Sequence, residues 1–353
     1  MTTVTVNASG TYDALIGHGI LPELGGRIQA LLPLVHNVAV VTDETVAELY
    51  AEAVLDTLTR AGFTPHTYTL KPGESSKSGT IYLGLLNKLA EAGFTRSDCI
   101  VALGGGVVGD LAGFVAATFL RGIAYIQVPT TLLAMVDSSV GGKTAIDLPH
   151  GKNLAGAFYQ PALVLIDTNT LETLPEEIFQ DGMAEVIKYG MLNCSRLLDQ
   201  LLHDDIIQAL PAIISTCVTI KRDLVEQDEF DTGQRMLLNL GHTVGHAIEK
   251  LSGYATSHGQ AVAIGMAVDT RAAVAKQLCH PDCLHMLKRL LDRYKLPSRT
   301  DFSAKAIFEA AQTDKKRQGE EITIAIPRKL GHSVLVQIPV EELLHWITLG
   351  VSS

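Results

Sequence analysis

Apolar and polar positions alternate along residues 2–6 and again along 12–16, the two-residue period of strands with one solvated face. Together they predict an edge pair. Val38-Ala39-Val40-Val41-Thr42 and the stretch Cys99 to Leu103 are unbroken apolar runs, which mark strands buried on both faces of a parallel sheet. His66 to Leu70 and Ala124 to Val128 read as two more strands. Between these runs the period lengthens. Helices are expected after Asp43-Glu44-Thr45 to about Ala61, from about Ser78 to Ala92, and after Gly109-Asp110 to about Phe119. A β-α-β-α rhythm with short connections predicts a parallel sheet covered by helices on both faces.

From about Glu176 the pattern becomes helical, over 181–192, 195–202, 206–227, 233–251, 258–279, 283–294 and 303–313. One hairpin interrupts it, Ile322 to Pro327 with Ser333 to Ile338, and a last helix runs from about Glu341 to Leu349. The fold class is therefore an α/β N-terminal domain with a parallel, Rossmann-like sheet, over 1–175, and a mostly α-helical C-terminal domain, over 176–353.

Composition narrows the partners. The chain is 47% apolar and 19% charged, so it can bury a large core. Its 28 Lys and Arg against 38 Asp and Glu leave a net charge of −10, which argues against nucleic acid or an anionic membrane as partner. A small anionic ligand stays open, because a local basic cluster can oppose the global sign. Met1-Thr2-Thr3-Val4-Thr5-Val6 lacks the charged and apolar regions of a signal peptide. The longest apolar stretch, Ala102 to Leu120, is broken by Asp110 and several glycines. Five scattered cysteines suit reduced thiols in a cytoplasm. Cys279-His280-Pro281-Asp282-Cys283 lacks the second half of a metal knuckle and reads as a loop between helices.

Three groups of residues carry candidate chemistry. His242 and His246 are four apart, on one helical face; His258 heads another apolar run, and Glu185 stands three before Lys188. Two imidazoles and one carboxylate leave a fourth position open, the pattern of a catalytic zinc, although Gly-His-x-x-x-His alone is also an ordinary helix. Gly104 to Gly109 joins a buried strand to a helix, as a pyrophosphate site would, yet its spelling is not Gly-x-Gly-x-x-Gly. Asp43 and the hydroxyls of Thr130 and Thr131 also close strands, where ligands of parallel sheets bind, which favours a dinucleotide. Last, Arg121, Lys143, Lys152, Lys188, Lys221, Arg235 and the pair Lys315-Lys316 sit among apolar or Gly-rich neighbours, where a buried cation needs an anion. As a set they fit a substrate bearing phosphate and carboxylate.

These segments resemble the 3-dehydroquinate synthases, sugar-phosphate cyclases with a glycerol-dehydrogenase-like fold. The resemblance rests on Pro72-Gly73-Glu74-x-x-Lys77, Gly104 to Asp110, Phe119-Leu120-Arg121-Gly122, Pro129-Thr130-Thr131, Asp137 to Lys143, Gly151-Lys152-Asn153, Ala184 to Lys188, Asn239 to Glu249, His258-Gly259 and Asp314-Lys315-Lys316. It runs in order through nearly the whole chain. It implies a divalent metal, Zn2+ or Co2+, on Glu185, His242 and His258, with His246 off the metal and serving proton transfer. NAD+ would meet Asp43, Glu44, Thr45, Glu74, Lys77, Gly105, Gly106, Val107, Asp110, Thr130, Thr131, Asp137, Lys143, Lys152 and Thr170. Substrate anions would meet Lys143, Lys152, Asn153, Lys188, Lys221, Arg235, Asn239 and one of Lys315 and Lys316. Arg121 would reach the site of the other subunit in a homodimer.

The implied reaction converts 3-deoxy-D-arabino-heptulosonate 7-phosphate to 3-dehydroquinate and phosphate. It runs through transient oxidation, elimination, reduction and aldol closure. His246, Asp231, Lys143 and Lys188 are the implied catalytic set. Asp231 is a departure, since the family usually has glutamate there. Arg235 and Asn239 fit the dehydroquinate branch rather than cyclases of non-carboxylated sugar phosphates.

Overall fold

The structure, a computed structural model, describes residues 1–312, 317–318 and 321–351. The chain divides into two compact units, Met1–Leu174 with Lys221–Glu229, and Pro175–Ile220 with Phe230–Ser353. The return of 221–229 to the first unit is not visible in the hydrophobic pattern.

The first unit opens with strands β1 (Thr2–Asn7) and β2 (Thr11–Gly17), followed by helix α1 (Leu24–Leu31) and β3 (Asn37–Asp43). A short helix α2 (Glu44–Val46) leads through a π-helical turn, Ala47–Ala51, into α3 (Glu52–Arg60). Then come β4 (Thr64–Leu70), α4 (Gly79–Glu91), β5 (Cys99–Gly104), α5 (Gly106–Thr118) and β6 (Ala124–Pro129). A hairpin of β7 (Lys143–Leu148) and β8 (Gly151–Phe158) precedes β9 (Leu163–Asp167). The pattern reading places no element between Val128 and Glu176, so these three strands are additions. Gly142, Gly151, Gly156, Lys152 and Asn153 give the hairpin a weak strand signal. The run Leu163 to Asp167 is fully buried and its apolar signal was present in the sequence.

Seven strands form one sheet in the order β1-β2-β9-β6-β5-β3-β4, parallel throughout except for the antiparallel β1–β2 edge. Alternation along the strands splits the core in two. Val38, Val40, Val101 and Leu103 pack with Leu24, Ile28, Val54 and Leu58, from α1 and α3. Ala39, Val41, Ile100 and Ala102 pack with Leu85, Leu89, Leu111 and Val115, from α4 and α5. Helices thus cover both faces, as a parallel sheet requires. The chain passes from β3 to β4 on one side, then to β5 on the other. The strand order reverses there, and the crevice beyond the carboxyl ends of β3 and β5 is the place where such sheets take ligands.

The second unit is helical: α6 (Glu176–Asn193), α7 (Ser195–His203), most of α8 (Ile206–Gln227), α9 (His242–Leu251), α10 (His258–Ala275), α11 (Pro281–Arg293), α12 (Ala304–Ala311) and α13 (Val340–Val351). A small antiparallel sheet joins β10 (Arg317–Gln318), β11 (Glu321–Lys329) and β12 (His332–Pro339). Helix α10 is buried over nearly its whole length, and its small residues let neighbours pack closely. The pattern predicts one helix over 233–251, but the chain breaks there. Gln234–Asn239 is a 3-10 turn, and Gly241, at φ +78, reverses the backbone before α9 begins. Arg235 and Asn239 therefore lie on that turn, and His242 is the first residue of its helix. No helix among the described residues is long and apolar enough to cross a membrane.

Candidate active site

In the second unit three distant side chains meet. One ligand atom each from Glu185, His242 and His258 lies within 4.8 Å of the others. Glu185 is fully buried on α6; its Oε1 stands 3.7 Å from His242 Nε2 and 3.4 Å from His258 Nε2. Its Oε2 pairs with Lys188, one turn along the same helix and equally buried. The two histidines start α9 and α10, which approach through glycines. A Cβ on Gly265 would stand 1.9 Å from the Gly241 carbonyl oxygen, so a larger residue would force the helices apart.

Each histidine is also oriented from behind. His242 Nδ1 lies 3.1 Å from the Leu240 carbonyl, and His258 Nδ1 lies 3.4 Å from Glu249 Oε2. A proton on each Nδ1 leaves both Nε2 atoms to face Glu185, the arrangement expected behind metal-ligating histidines. Burial opposes a charged His258. Hydrogen bonds and charge from Glu185 and Glu249 prevail and raise its pKa to about 10. Metal binding needs the neutral ring and so displaces that proton. Glu249, nearly fully buried on α9, holds the His258 ring from behind, a partner that spacing alone did not single out.

His246 is exposed one turn beyond His242, its ring centroid 5.3 Å from that of His242 and 6.2 Å from that of His258. Its ring stands beside the other two imidazoles without being one of the three converging ligands. Two imidazoles, one carboxylate and an open position fit Zn2+ or Co2+ in a catalytic site. Arg235 is fully buried on the 3-10 turn, and Asp231 precedes it with φ +60, a left-handed conformation that Asp tolerates better than most residues. Lys315 and Lys316 lie outside the described residues.

The first unit brings together a different set. Lys77 Nζ donates to Asp110 Oδ2 and to Asn153 Oδ1, both at 2.5 Å, with Glu74 Oε1 at 3.9 Å. Lys152 Nζ stands 3.7 Å from Glu74 Oε2. Burial disfavours the Lys77 charge, but Asp110 outweighs it and the ammonium pKa is raised. Asp43 caps α2 by accepting from the Val46 amide at 3.0 Å; Glu44 and Thr45 follow in that exposed turn. Lys221, on the part of α8 that belongs here, donates to the Asp137 carbonyl at 2.6 Å and pairs with its carboxylate at 3.0 Å. Thr170 bonds back to the Asp167 carbonyl. Lys143 is exposed at the start of β7.

The glycine turn caps α5 at Gly105; Gly104 before it is in register with Pro129 of the next strand, and the Thr130 amide donates to the Gly104 carbonyl. Cβ atoms on Gly105 and Gly106 would stand 3.1 Å from Thr131 Cγ2 and 3.0 Å from Ser138 Oγ. Thr130 Oγ1 is buried and has no hydrogen-bond partner among the described residues. Open backbone at a helix N-terminus and an unmet hydroxyl beside it suit the pyrophosphate of a dinucleotide. Arg121 lies elsewhere. It is exposed, with φ +69, beyond the far end of α5 from Gly105, about 20 Å along a helix of that length.

Known proteins match nearly the whole chain. Residues 67–181 match the family described as 3-dehydroquinate synthase N-terminal, and 182–317 the one described as 3-dehydroquinate synthase C-terminal. A 3-dehydroquinate synthase of Pelobacter propionicus is 47% identical, over 98% of this chain and 98% of the relative. One of Enterococcus faecalis is 44% identical, over 97% and 96%. Among solved structures, 2-deoxy-scyllo-inosose synthase complexed with carbaglucose-6-phosphate, NAD+ and Co2+ superposes with a TM-score of 0.88 at 25% identity, covering 98% of this chain and 99% of that one. An iron-containing alcohol dehydrogenase shares the fold at a TM-score of 0.71 and 14% identity, covering 98% and 99%.

Proposed function

The chain belongs to the 3-dehydroquinate synthase family, and from that premise we propose how its residues serve the family's reaction. It turns 3-deoxy-D-arabino-heptulosonate 7-phosphate into 3-dehydroquinate and phosphate, which makes it a carbon–oxygen lyase. The observation that carries this reading is the convergence of Glu185, His242 and His258 on one cation-sized space. Those three would hold Zn2+ or Co2+, and the glycine turn with Glu74, Lys77, Asp110 and Thr130 would hold NAD+. Bound there, NAD+ would supply a hydride acceptor for a substrate carbinol, and the cation would make that hydroxyl more acidic.

The chain's own residues supply the remainder. His246 carries a proton during ring closure, because an imidazole can both accept and donate one. Lys188, Lys143, Lys152, Asn153 and Lys221 hold the phosphate end. Arg235 presents a planar fork that suits a carboxylate, with Asn239 on the same turn. Gripping both ends fixes the reacting carbons against one another, a proximity effect. Asp231 supplies a carboxylate four residues before Arg235. The far-end position of Arg121 supports a role in a second copy of the chain, and hence a homodimer; the free cysteines fit a reducing cytoplasm.

The test is direct. Incubation with the heptulosonate phosphate, NAD+ and Zn2+ or Co2+ releases phosphate while absorbance at the NADH wavelength stays flat. Accumulating NADH without phosphate release would instead indicate a simple dehydrogenase. A 2-deoxy-scyllo-inosose or valiolone type of cyclase would prefer a non-carboxylated sugar phosphate. Arg235→Ala raises KM for the carboxylated substrate; unchanged KM and kcat would remove Arg235 from the site.

A further inference from the structure

His258 is the first residue of α10, so whatever fixes the start of that helix also fixes a metal ligand. The preceding Ser257 stands at the N-cap but makes no side-chain cap of its own helix. Its hydroxyl donates instead to Asp181 Oδ1 at 2.5 Å, and the same oxygen accepts the Gln260 amide at 3.1 Å. A carboxylate from α6 thus takes the place of α10's missing cap, where the helix terminus also favours negative charge. The approach is tight, since a Cβ on Gly259 would stand 2.0 Å from the Asp181 carbonyl oxygen. Asp181 lies one turn before Glu185 on the same helix. Two metal ligands are therefore tied by a short path. One helical turn joins Glu185 to Asp181, and a hydrogen bond plus one peptide link join Asp181 to His258.

We propose that Asp181 is a positioning residue for the metal centre: it latches α6 to the first turn of α10 and so holds Glu185 and His258 at ligating separation. The inference rests on the metal-site reading above. Without the latch the Gln260 amide and the Ser257 hydroxyl lose their acceptor and the turn frays. The cost of ordering His258 then falls on the cation, which binds more weakly.

The experiment uses the full chain, stripped of metal and titrated with Zn2+ or Co2+ alone against a chelating dye. Asp181→Ala weakens binding about 10- to 100-fold, as removal of a group supporting a ligand does. Asp181→Asn keeps an oxygen that accepts both hydrogen bonds and retains near-original affinity. Ser257→Ala, which loses one of the two, falls between them. Thermal unfolding of the metal-free variants is followed in parallel. An Asp181→Ala protein that melts lower yet binds metal as before has lost only a structural contact, and the proposal is overturned. Asn binding as weakly as Ala overturns it too. Where Asp181→Ala does not fold, unchanged affinity in Ser257→Ala has the same consequence. His242→Ala is the control. If it keeps its metal, the ligand assignment has failed; if it loses metal while Asp181→Ala does not, only the latch has failed.

Discussion

Two buried clusters of charge, one in each unit, are built on opposite plans. Around Lys77 a cation already sits between two acceptors at 2.5 Å. Around Glu185 the ligand atoms of three side chains face one another within 4.8 Å, and the ring nitrogens behind them are held by Leu240 and Glu249. The first cluster is closed by its own members; the second, although Lys188 pairs with Glu185 Oε2, turns Glu185 Oε1 and two ring nitrogens toward one space, open to a cation. Removing a member of a closed cluster leaves a buried charge uncompensated, and stability suffers. Removing a member of an open one takes away a ligand, and binding suffers.

The largest effect that separates the two comes from His242→Ala. Metal retention and activity fall to background, while the metal-free protein unfolds close to the parent, since a part-exposed ring is lost. Metal content after gel filtration, read beside the melting curve, checks both halves. A fully active, metal-free variant would refute the ligand assignment.

Lys77→Met is the counterpart. It strands Asp110 and costs about 3–5 kcal/mol, together with NAD+ binding. The pH dependence has a definite sign. Burial already raises the Asp110 pKa against the pull of Lys77, and without Lys77 the rise is larger. A carboxyl raised on folding binds more protons in the folded state, so the deficit shrinks as pH falls toward the unfolded carboxylate range. Urea unfolding at neutral and mildly acidic pH measures it. A deficit that grows on acidification would show that Asp110 is not the stranded group.

The closed and open clusters were not equally legible in the sequence. Strand, glycine turn and helix follow one another along Cys99–Thr118, so local pattern reveals the crevice of the first unit. The hairpin at 143–158 stayed hidden because its glycines and polar residues carry little strand signal, although Lys152 and Asn153 lie on it. In the second unit the metal-ligating residue types were visible. Their convergence depends on Gly241 and Gly265, whose contact no periodicity reports. The groups behind the ligands, Glu249 and Asp181, look like ordinary helix-surface carboxylates in sequence. Only the packing of α6, α9 and α10 gives them partners.

A smaller effect sharpens the open side of the comparison. Glu249→Ala leaves all three ligands in place but frees the His258 ring to turn. Metal affinity drops about 10- to 100-fold, with Glu249→Gln between the two because its amide oxygen can still accept from Nδ1. Competition against a chelator measures the loss. Equal affinity in all three proteins would mean that α10 alone orients His258.

The smallest effect falls on the first unit and has opposite signs for stability and binding. Thr130 buries a hydroxyl with no partner among the described residues, an arrangement that costs free energy until something arrives to bond it. Thr130→Val keeps the shape and removes the unmet group. The ligand-free protein gains about 1 kcal/mol, whereas NAD+ binds about fivefold more weakly, because the hydrogen bond it would have made is gone. Urea unfolding and an NAD+ titration on the same preparation read the two signs. If stability and affinity both fall, the hydroxyl has a partner within the fold. In that case the glycine-turn crevice is as closed as the Lys77 cluster beside it.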